Sequence, residues 1–199
     1  MRIECFPRTV SMLILLSVMI AIPANAQEMP VPVDLQNSLF MKVLTFDRNL
    51  KKYDKEEIII GILYQSKYRN SLNAKNQLLT ATNEIADRKI NSIPYRYIPI
   101  EVGDISEIET AIINAGVRIL YITPMRNVDF STIGRVCRAN QILTITGVPE
   151  YVESEFAVGI GIRSERPIIL INLAEAKAEG ADFTSQILKL AKIIENDAK

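Results

Sequence analysis

The chain of 199 residues has no histidine and no tryptophan, and it has only two cysteines. Without an imidazole it cannot form a Ser-His-Asp or Cys-His triad or a histidine-ligated zinc site. Two cysteines also exclude a four-cysteine zinc site and a disulfide framework. Its 23 Lys and Arg residues equal its 23 Asp and Glu residues, and no local basic stripe stands out, so nothing attracts a nucleic acid. The sequence therefore predicts no enzyme, no metal, no cofactor and no nucleic-acid partner.

The first 26 residues have the pattern of a secretory signal peptide. Arg2 and Arg8 give a positive start, an apolar run follows over 12–22, and Ala-Asn-Ala at 24–26 is a cleavage signal. The apolar run is shorter than the roughly 20 residues that a membrane-spanning helix needs. We therefore predict cleavage after Ala26 and a periplasmic mature protein over residues 27–199, folded as one α/β domain.

Cleavage would leave Cys137 as the one cysteine of the mature chain, in an oxidising compartment. It falls on the apolar side of a predicted helix over 130–139, so we expect a buried, slowly reacting thiol. The alternative is a disulfide that links two copies of the chain.

The rest of the chain alternates between strand and helix patterns. A continuous β-branched run over Ile58–Tyr64 is typical of a strand buried on both faces. The further predicted elements are a helix over 35–50 capped by Asp34, a helix over 71–86, an edge strand over 95–102, a helix over 106–115 with a capping box at Ser106 and a stop at Gly116, a strand over 118–123, a helix over 130–139 and a strand over 142–146. This order predicts a parallel sheet with right-handed crossovers.

The pattern changes after residue 147. Segments 157–163 and 168–172, separated by a short polar link, predict an antiparallel hairpin. A helix over 174–179 that stops at Gly180 follows, and then a terminal helix whose apolar face is Ile187, Leu188, Leu190, Ala191 and Ile194. The predicted fold is a single-domain α/β fold with a mainly parallel, Rossmann-like sheet, helices on both faces and a C-terminal antiparallel hairpin.

Topology points to one candidate binding site. Ligands of open parallel sheets bind outside the carboxyl ends of the strands. The polar residues predicted at these ends are Gln65, Ser66, Arg69, Thr123, Arg126, Thr146 and Gly147. They could hold a small polar or anionic ligand. Because every α/β protein has such an edge, the alternative is a polar rim that binds nothing.

The C-terminal stretch carries a family resemblance. It has Asn172 at the end of a strand, the small residues Ala174 and Ala176 opening a helix, then Gly180, and then Ser185 ahead of a Leu-Lys-Leu-Ala segment over 188–191. This pattern, together with the strands over 58–64 and 142–146, resembles the YfiR-like family of periplasmic proteins. The resemblance covers most of residues 33–194. It implies an α/β regulator, often dimeric, whose best-known member represses a membrane diguanylate cyclase by binding the periplasmic region of that enzyme.

Two hypotheses follow for the function. The first is an exported, non-enzymatic regulator that docks on the periplasmic region of a membrane signalling protein such as a diguanylate cyclase. The second is a single-lobe solute-binding protein that delivers a small polar ligand to a transporter. Residues 27–199 are enough for one lobe only, whereas closure over a solute normally uses two.

Overall fold

The structure is a computed structural model that describes residues 29–53, 56–83, 85, 87–103 and 105–195. The helices are α1 (Val33–Leu44), α2 (Arg48–Lys51), α3 (Arg69–Asn83), α4 (Ile105–Asn114), α5 (Phe130–Asn140), α6 (Pro149–Ser154), α7 (Leu173–Ala178) and α8 (Ser185–Leu188). The strands are β1 (Ile58–Tyr64), β2 (Lys89–Ile90), β3 (Ile93–Glu101), β4 (Ile119–Ile122), β5 (Leu143–Thr146), β6 (Val158–Arg163), β7 (Arg166–Asn172) and β8 (Lys192–Ile194). The predicted signal peptide lies outside the described residues.

These strands form one sheet in the order β2-β3-β1-β4-β5-β6-β7-β8. Strands β3, β1, β4, β5 and β6 are parallel, whereas β7 runs antiparallel to β6, and β2 antiparallel to β3. This confirms the predicted α/β fold, its mainly parallel sheet and its hairpin. None of the helices within the described part of the chain is long and apolar enough to cross a lipid bilayer.

Alternate side chains of the central strands point into two hydrophobic layers, one on each face of the sheet. In β4, Tyr121 packs in the layer under α1, α3 and α8, and Ile122 packs in the layer under α4, α5 and α6. Strand β1 has no side chain at Gly61, where a Cβ would lie 2.8 Å from Ile100 Cδ1 and 2.9 Å from Val117 Cγ1. Glycine therefore lets the second layer pack close to the centre of the sheet.

The predicted helix over 35–50 is wrong, because the chain breaks between α1 and α2. The Asp47 carboxylate accepts a hydrogen bond of 2.9 Å from the backbone N–H of Asn49, which caps α2 and interrupts the helical ladder. Asp34 is not a cap either: it lies in the first turn of α1, and Pro32 occupies the cap position. Ser106 is likewise inside the first turn of α4, because that helix begins one residue earlier.

The predicted terminal helix is also wrong. Only α8 is helical there, and Lys192–Ile194 form β8, which pairs in parallel with β7. Leu190, assigned to the apolar helix face, is 72% exposed. At the other end of the sheet, the two-residue β2 pairs with β3 at Ile93 and Pro94, whereas β1 pairs with β3 from Tyr95 to Glu101.

Candidate functional site

An open cleft lies at the carboxyl edge of the sheet, where β1, β3 and β4 end. Its volume is about 650 Å³. It is lined by Gln65, Ser66, Lys67, Tyr68, Glu101, Val102, Gly103, Glu107 and Arg126. Three of the residues proposed from the sequence, Gln65, Ser66 and Arg126, are therefore brought together.

Gln65 fixes the loop that carries Arg126. Its side-chain amide donates to the Arg126 carbonyl oxygen at 2.9 Å and accepts from the Arg126 backbone N–H, also at 2.9 Å. Both polar atoms of the amide are thus used to join the loop after β1 to the loop after β4. Gln65 is a positioning residue at this edge, because its side chain holds the protein together rather than pointing a free group into the cleft.

Arg126 supplies an exposed positive charge. Its guanidinium carbon lies 4.5 Å from the centre of the Tyr68 ring, the geometry of a cation–π contact. Among the described residues, no carboxylate forms an ion pair with it. The stacked ring restricts the side chain, and the guanidinium keeps its donors for a carboxylate or phosphate oxygen.

Two acidic residues, Glu101 and Glu107, line the same cleft. The hydroxyl of Ser66 donates to one carboxylate oxygen of Glu101, and the hydroxyl of Tyr64 lies 3.4 Å from the other. Partial burial and the negative charge of Glu101 raise the pKa of Tyr64. The site therefore combines positive and negative groups, which suits a polar ligand that carries charges of both signs better than a simple anion.

Two of the proposed hydroxyls are buried structural groups. Thr123 donates to the Leu63 carbonyl oxygen at 2.8 Å and shares a hydrogen bond of 2.6 Å with the Ser71 hydroxyl. Thr146 donates to the Ile122 carbonyl oxygen at 3.0 Å and accepts from the backbone of Val148. Each hydroxyl joins neighbouring segments below the surface and lies outside the cleft lining.

Gly147 is covered by the start of α1. A Cβ at this position would collide with the side-chain amide of Gln36, which is fully buried. That amide accepts from the Tyr121 hydroxyl at 2.8 Å and donates to the Val31 carbonyl oxygen at 2.6 Å. The middle of the carboxyl edge is thus closed by the protein itself, and the open cleft lies to one side of it.

Arg69 begins α3 and is exposed, but it is not among the residues that line the cleft. Sequence reasoning also missed Glu101, Gly103 and Glu107. The signal was present, because Glu101 ends the strand next to β1, and residues 102 and 103 follow it at the same edge.

A second cleft, of about 610 Å³, lies at the opposite edge, before β4 and β5. Its polar groups mainly bond to the protein. The Arg118 guanidinium donates to the carbonyl oxygens of Gln141 and Gly180, and the Asn49 amide donates to Gly180 at 3.0 Å. The carboxyl-edge cleft is therefore the stronger candidate for ligand binding.

The model of the YfiR/HmsC-like family matches residues 50–192, well over half of the chain. The chain belongs to the YfiR/HmsC-like family. This confirms the resemblance seen in the sequence. Membership of the YfiR/HmsC-like family supports a periplasmic regulatory protein. No curated protein sequence matches the chain.

Solved structures show the same fold at low sequence identity. The ABC domain from Streptococcus pneumonia in complex with L-Trp has a TM-score of 0.59 and 13% identity, and the match covers 82% of this chain and 62% of that chain. An open, ligand-free substrate-binding protein with adhesive properties from Clostridium difficile has a TM-score of 0.58 and 16% identity, with 84% and 61% covered. A conserved domain protein from Vibrio cholerae has a TM-score of 0.52 and 13% identity, with 82% and 60% covered. The chain spans about three fifths of the length of these proteins.

Proposed function

We propose that this protein is an exported regulator that docks on the periplasmic region of a membrane signalling protein, such as a diguanylate cyclase, and changes its cyclic-di-GMP output. Its membership of the YfiR/HmsC-like family carries the proposal. In this proposal the first 26 residues are removed after Ala26, and the mature protein acts in the periplasm. Amino-terminal sequencing that begins at Gln27 would support export, and a retained Met1 in a cytoplasmic protein would contradict it.

A regulator without catalytic groups acts through different affinities for two states of its partner. We assign the sensing step to the carboxyl-edge cleft. The negative group of a small polar ligand would bind the Arg126 guanidinium, and the positive group of the same ligand would bind Glu101 or Glu107. Because the Gln65 amide holds the Arg126 backbone at both its N–H and its carbonyl, such a ligand would act on the loops after β1 and β4 together.

The test combines two variants with a gene deletion in the native host. Arg69→Ala/Arg126→Ala removes the two exposed arginines proposed for this rim. We expect unchanged melting and export but a loss of the response of cyclic-di-GMP to the host's signal. Lys51→Ala/Lys52→Ala, which removes two exposed positive charges at the opposite edge, is the matched control and should respond as the wild type does. A normal response of the double arginine variant would exclude the rim as the sensing site.

A second candidate is a single-lobe solute-binding protein that delivers a polar ligand to a transporter. Two of the similar structures favour it, since one is described in complex with L-Trp and another as a substrate-binding protein. The covered share of about three fifths of those chains weighs against it, because closure over a solute normally needs a second lobe. Unchanged cyclic-di-GMP after deletion of the gene, together with impaired uptake of one solute, would favour transport over regulation.

A further inference from the structure

The hairpin formed by β6 and β7 extends beyond the rest of the sheet at the carboxyl edge. Strand β5 pairs with β6 only at Val158 and Gly159, and β8 pairs with β7 only from Leu170 onward. Within residues 160–169, which we call the hairpin arm, β6 and β7 therefore pair only with each other among the described residues. All six residues from Ile162 to Pro167 are exposed.

The turn at the end of the hairpin arm is strained. Ser164 and Glu165 have φ angles of 48° and 62°, so both occupy the left-handed region. A two-residue turn of this type normally uses Asn-Gly or Asp-Gly, because side chains with a Cβ pay roughly 1–2 kcal/mol per residue there. The sequence does not use the residues that would make this turn most stable.

Two arginines face each other across the same turn. Arg163 on β6 is the direct partner of Arg166 on β7, and like charges in this position destabilise a hairpin. Among the described residues, no carboxylate forms an ion pair with either guanidinium. The free protein therefore holds two positive charges together, and neither forms an ion pair within the part of the chain that the structure describes.

An apolar pair occupies the other face of the hairpin arm. Ile162 is 47% exposed and pairs with Pro167, and alternation along the strands places both side chains opposite the two arginines. Pro167 has no backbone N–H, which hinders pairing of β7 with a strand from another chain. The chemistry of the hairpin arm is therefore that of side-chain contacts, with arginine and an exposed isoleucine next to each other.

We propose that the hairpin arm docks on an acidic surface of the protein's partner. The strained turn and the unpaired arginines are each unfavourable in the free protein, and such local conflicts concentrate at functional sites. Acidic side chains would relieve the repulsion between Arg163 and Arg166, and Ile162 would be covered in the same contact. This inference rests on the regulatory function proposed above, because it names the surface through which the regulator would reach its partner.

The first experiment measures binding of the purified, full mature chain to poly-L-glutamate, as a probe of an acidic protein surface. We expect binding that weakens with added salt and that becomes roughly tenfold or more weaker in Arg163→Glu/Arg166→Glu. Lys51→Glu/Lys52→Glu makes the same change of charge at the opposite edge and should bind as the wild type does. Equal loss in both variants, or binding only to phosphatidylglycerol vesicles, would overturn the proposal.

A second variant separates docking from folding. Arg163→Ser/Arg166→Ser removes the repulsion together with the charge. We expect its melting temperature to rise while its binding to poly-L-glutamate is lost. If the arginines only support the fold, the melting temperature should fall instead, and this result would contradict the proposal.

The third experiment identifies the contact in the native host. A photo-crosslinking amino acid that replaces Ile162 should form a crosslink to a membrane protein. The crosslinked segment should lie in the periplasm and have a net negative charge. The control places the same photo-crosslinking amino acid at Ile113, an exposed residue of α4, and this variant should not form the crosslink. Crosslinks from Ile162 to a second copy, or to a segment with net positive charge, would overturn the proposal.

These experiments also distinguish the proposed docking surface from the proposed regulatory function. If Arg163→Glu/Arg166→Glu signals normally although deletion of the gene changes cyclic-di-GMP, the hairpin arm is excluded and the regulatory function stands. If Ile162 attaches to an acidic membrane-protein segment although deletion leaves cyclic-di-GMP unchanged, the docking surface stands and the proposed signalling output fails.

Discussion

Glu179, at the end of α7, carries a carboxyl group in the interior of the protein. Its oxygens lie 2.7 Å from the backbone nitrogen of Thr144 and 2.8 Å from the hydroxyl of the same residue. Burial raises the pKa of Glu179 to about 8, and the negative charge of Glu175 acts in the same direction. The Arg138 guanidinium bonds to Glu155 and Glu175 and compensates the charge of Glu179 only in part.

This carboxyl group predicts a pH-dependent stability. Because the folded protein binds the proton more tightly than the unfolded chain, stability from Glu179 is present below about pH 4.5 and is lost as the pH rises to about 8. The loss is at most about 1.4 kcal/mol per pH unit in this interval. We expect Glu179→Gln to remove this contribution, measured as the difference in unfolding free energy between the wild type and the variant at several pH values.

The control for Glu179 is Glu153→Gln, since the Glu153 side chain is 56% exposed. This variant replaces an exposed carboxylate and tests whether the pH-dependent difference of Glu179→Gln depends on burial. Parallel stability curves for the wild type and Glu179→Gln would show that Glu179 is charged in the folded protein throughout.

Cys137 is a second buried group whose chemistry can be tested. It lies in the hydrophobic layer under α5, and burial, assisted by the charge of Glu179, raises the pKa of its thiol well above the ordinary value. The structure thus places it as the sequence predicts. We expect a thiol reagent to modify it only after unfolding, and a non-reducing gel of the mature protein to show monomer. Rapid, complete modification of the native protein, or a disulfide-linked dimer, would contradict this expectation.

At the scale of single residues, the sequence identified part of the site. The positions after β1 and β4 were predictable, because ends of parallel strands meet at one edge, and Gln65 and Arg126 do meet there. The burial of Thr123 and Thr146 was not predictable, since a hydroxyl next to a strand end looks alike whether it bonds to the protein or faces solvent. The covering of Gly147 by Gln36 depends on a contact between residues far apart in the sequence.

Secondary-structure elements follow their local patterns most closely where the pattern is continuous. Strand β1 has the predicted bounds of Ile58–Tyr64, and Gly116 ends the preceding helical segment with a φ of 61°. The prediction of a terminal helix is wrong because the apolar residues of the C-terminal segment fit helical spacing, whereas β7 offers an open edge of the sheet with which they pair. Pairing with that edge, which tertiary structure alone provides, directs Ile193 and Ile194 into a strand.

The same segment gives a prediction that distinguishes α8 from a terminal helix. Ile187 is buried in the hydrophobic layer, whereas Leu190 is exposed. We expect Ile187→Ala to lower the unfolding free energy by about 2–5 kcal/mol and Leu190→Ala to change it by less than about 0.5 kcal/mol. Urea denaturation measures both. A large and equal decrease in the unfolding free energy of both variants would instead support the terminal helix predicted from the sequence.

For the molecule as a whole, the decisive feature is one sheet with a hydrophobic layer on each face. Neighbouring residues of the same strand enter different layers, as Leu120 and Tyr121 do. Both layers pack on the same strands, so the sheet cannot unfold on one face and stay folded on the other. We therefore expect the domain to unfold as one cooperative unit.

This cooperativity can be measured with one substitution in each layer. Leu78→Ala, in α3, and Ile133→Ala, in α5, each truncate a fully buried side chain. Each should lower stability by about 2–5 kcal/mol and should leave a single unfolding transition. Coincident fluorescence and circular dichroism curves would agree with this expectation, and a second transition in only one variant would contradict it.

The break between α1 and α2 creates a contact between distant parts of the chain that affects how the protein folds. Asp47, which caps α2, also accepts the backbone N–H of Asp182 at 3.0 Å, across 135 positions of sequence, and it forms an isolated bridge with Phe183. A ribosome makes the amino end first, so Asp47 must wait for Asp182 and Phe183 before this contact can form. Because it joins residues 135 positions apart, this contact raises the mean sequence separation of the native contacts, which slows folding.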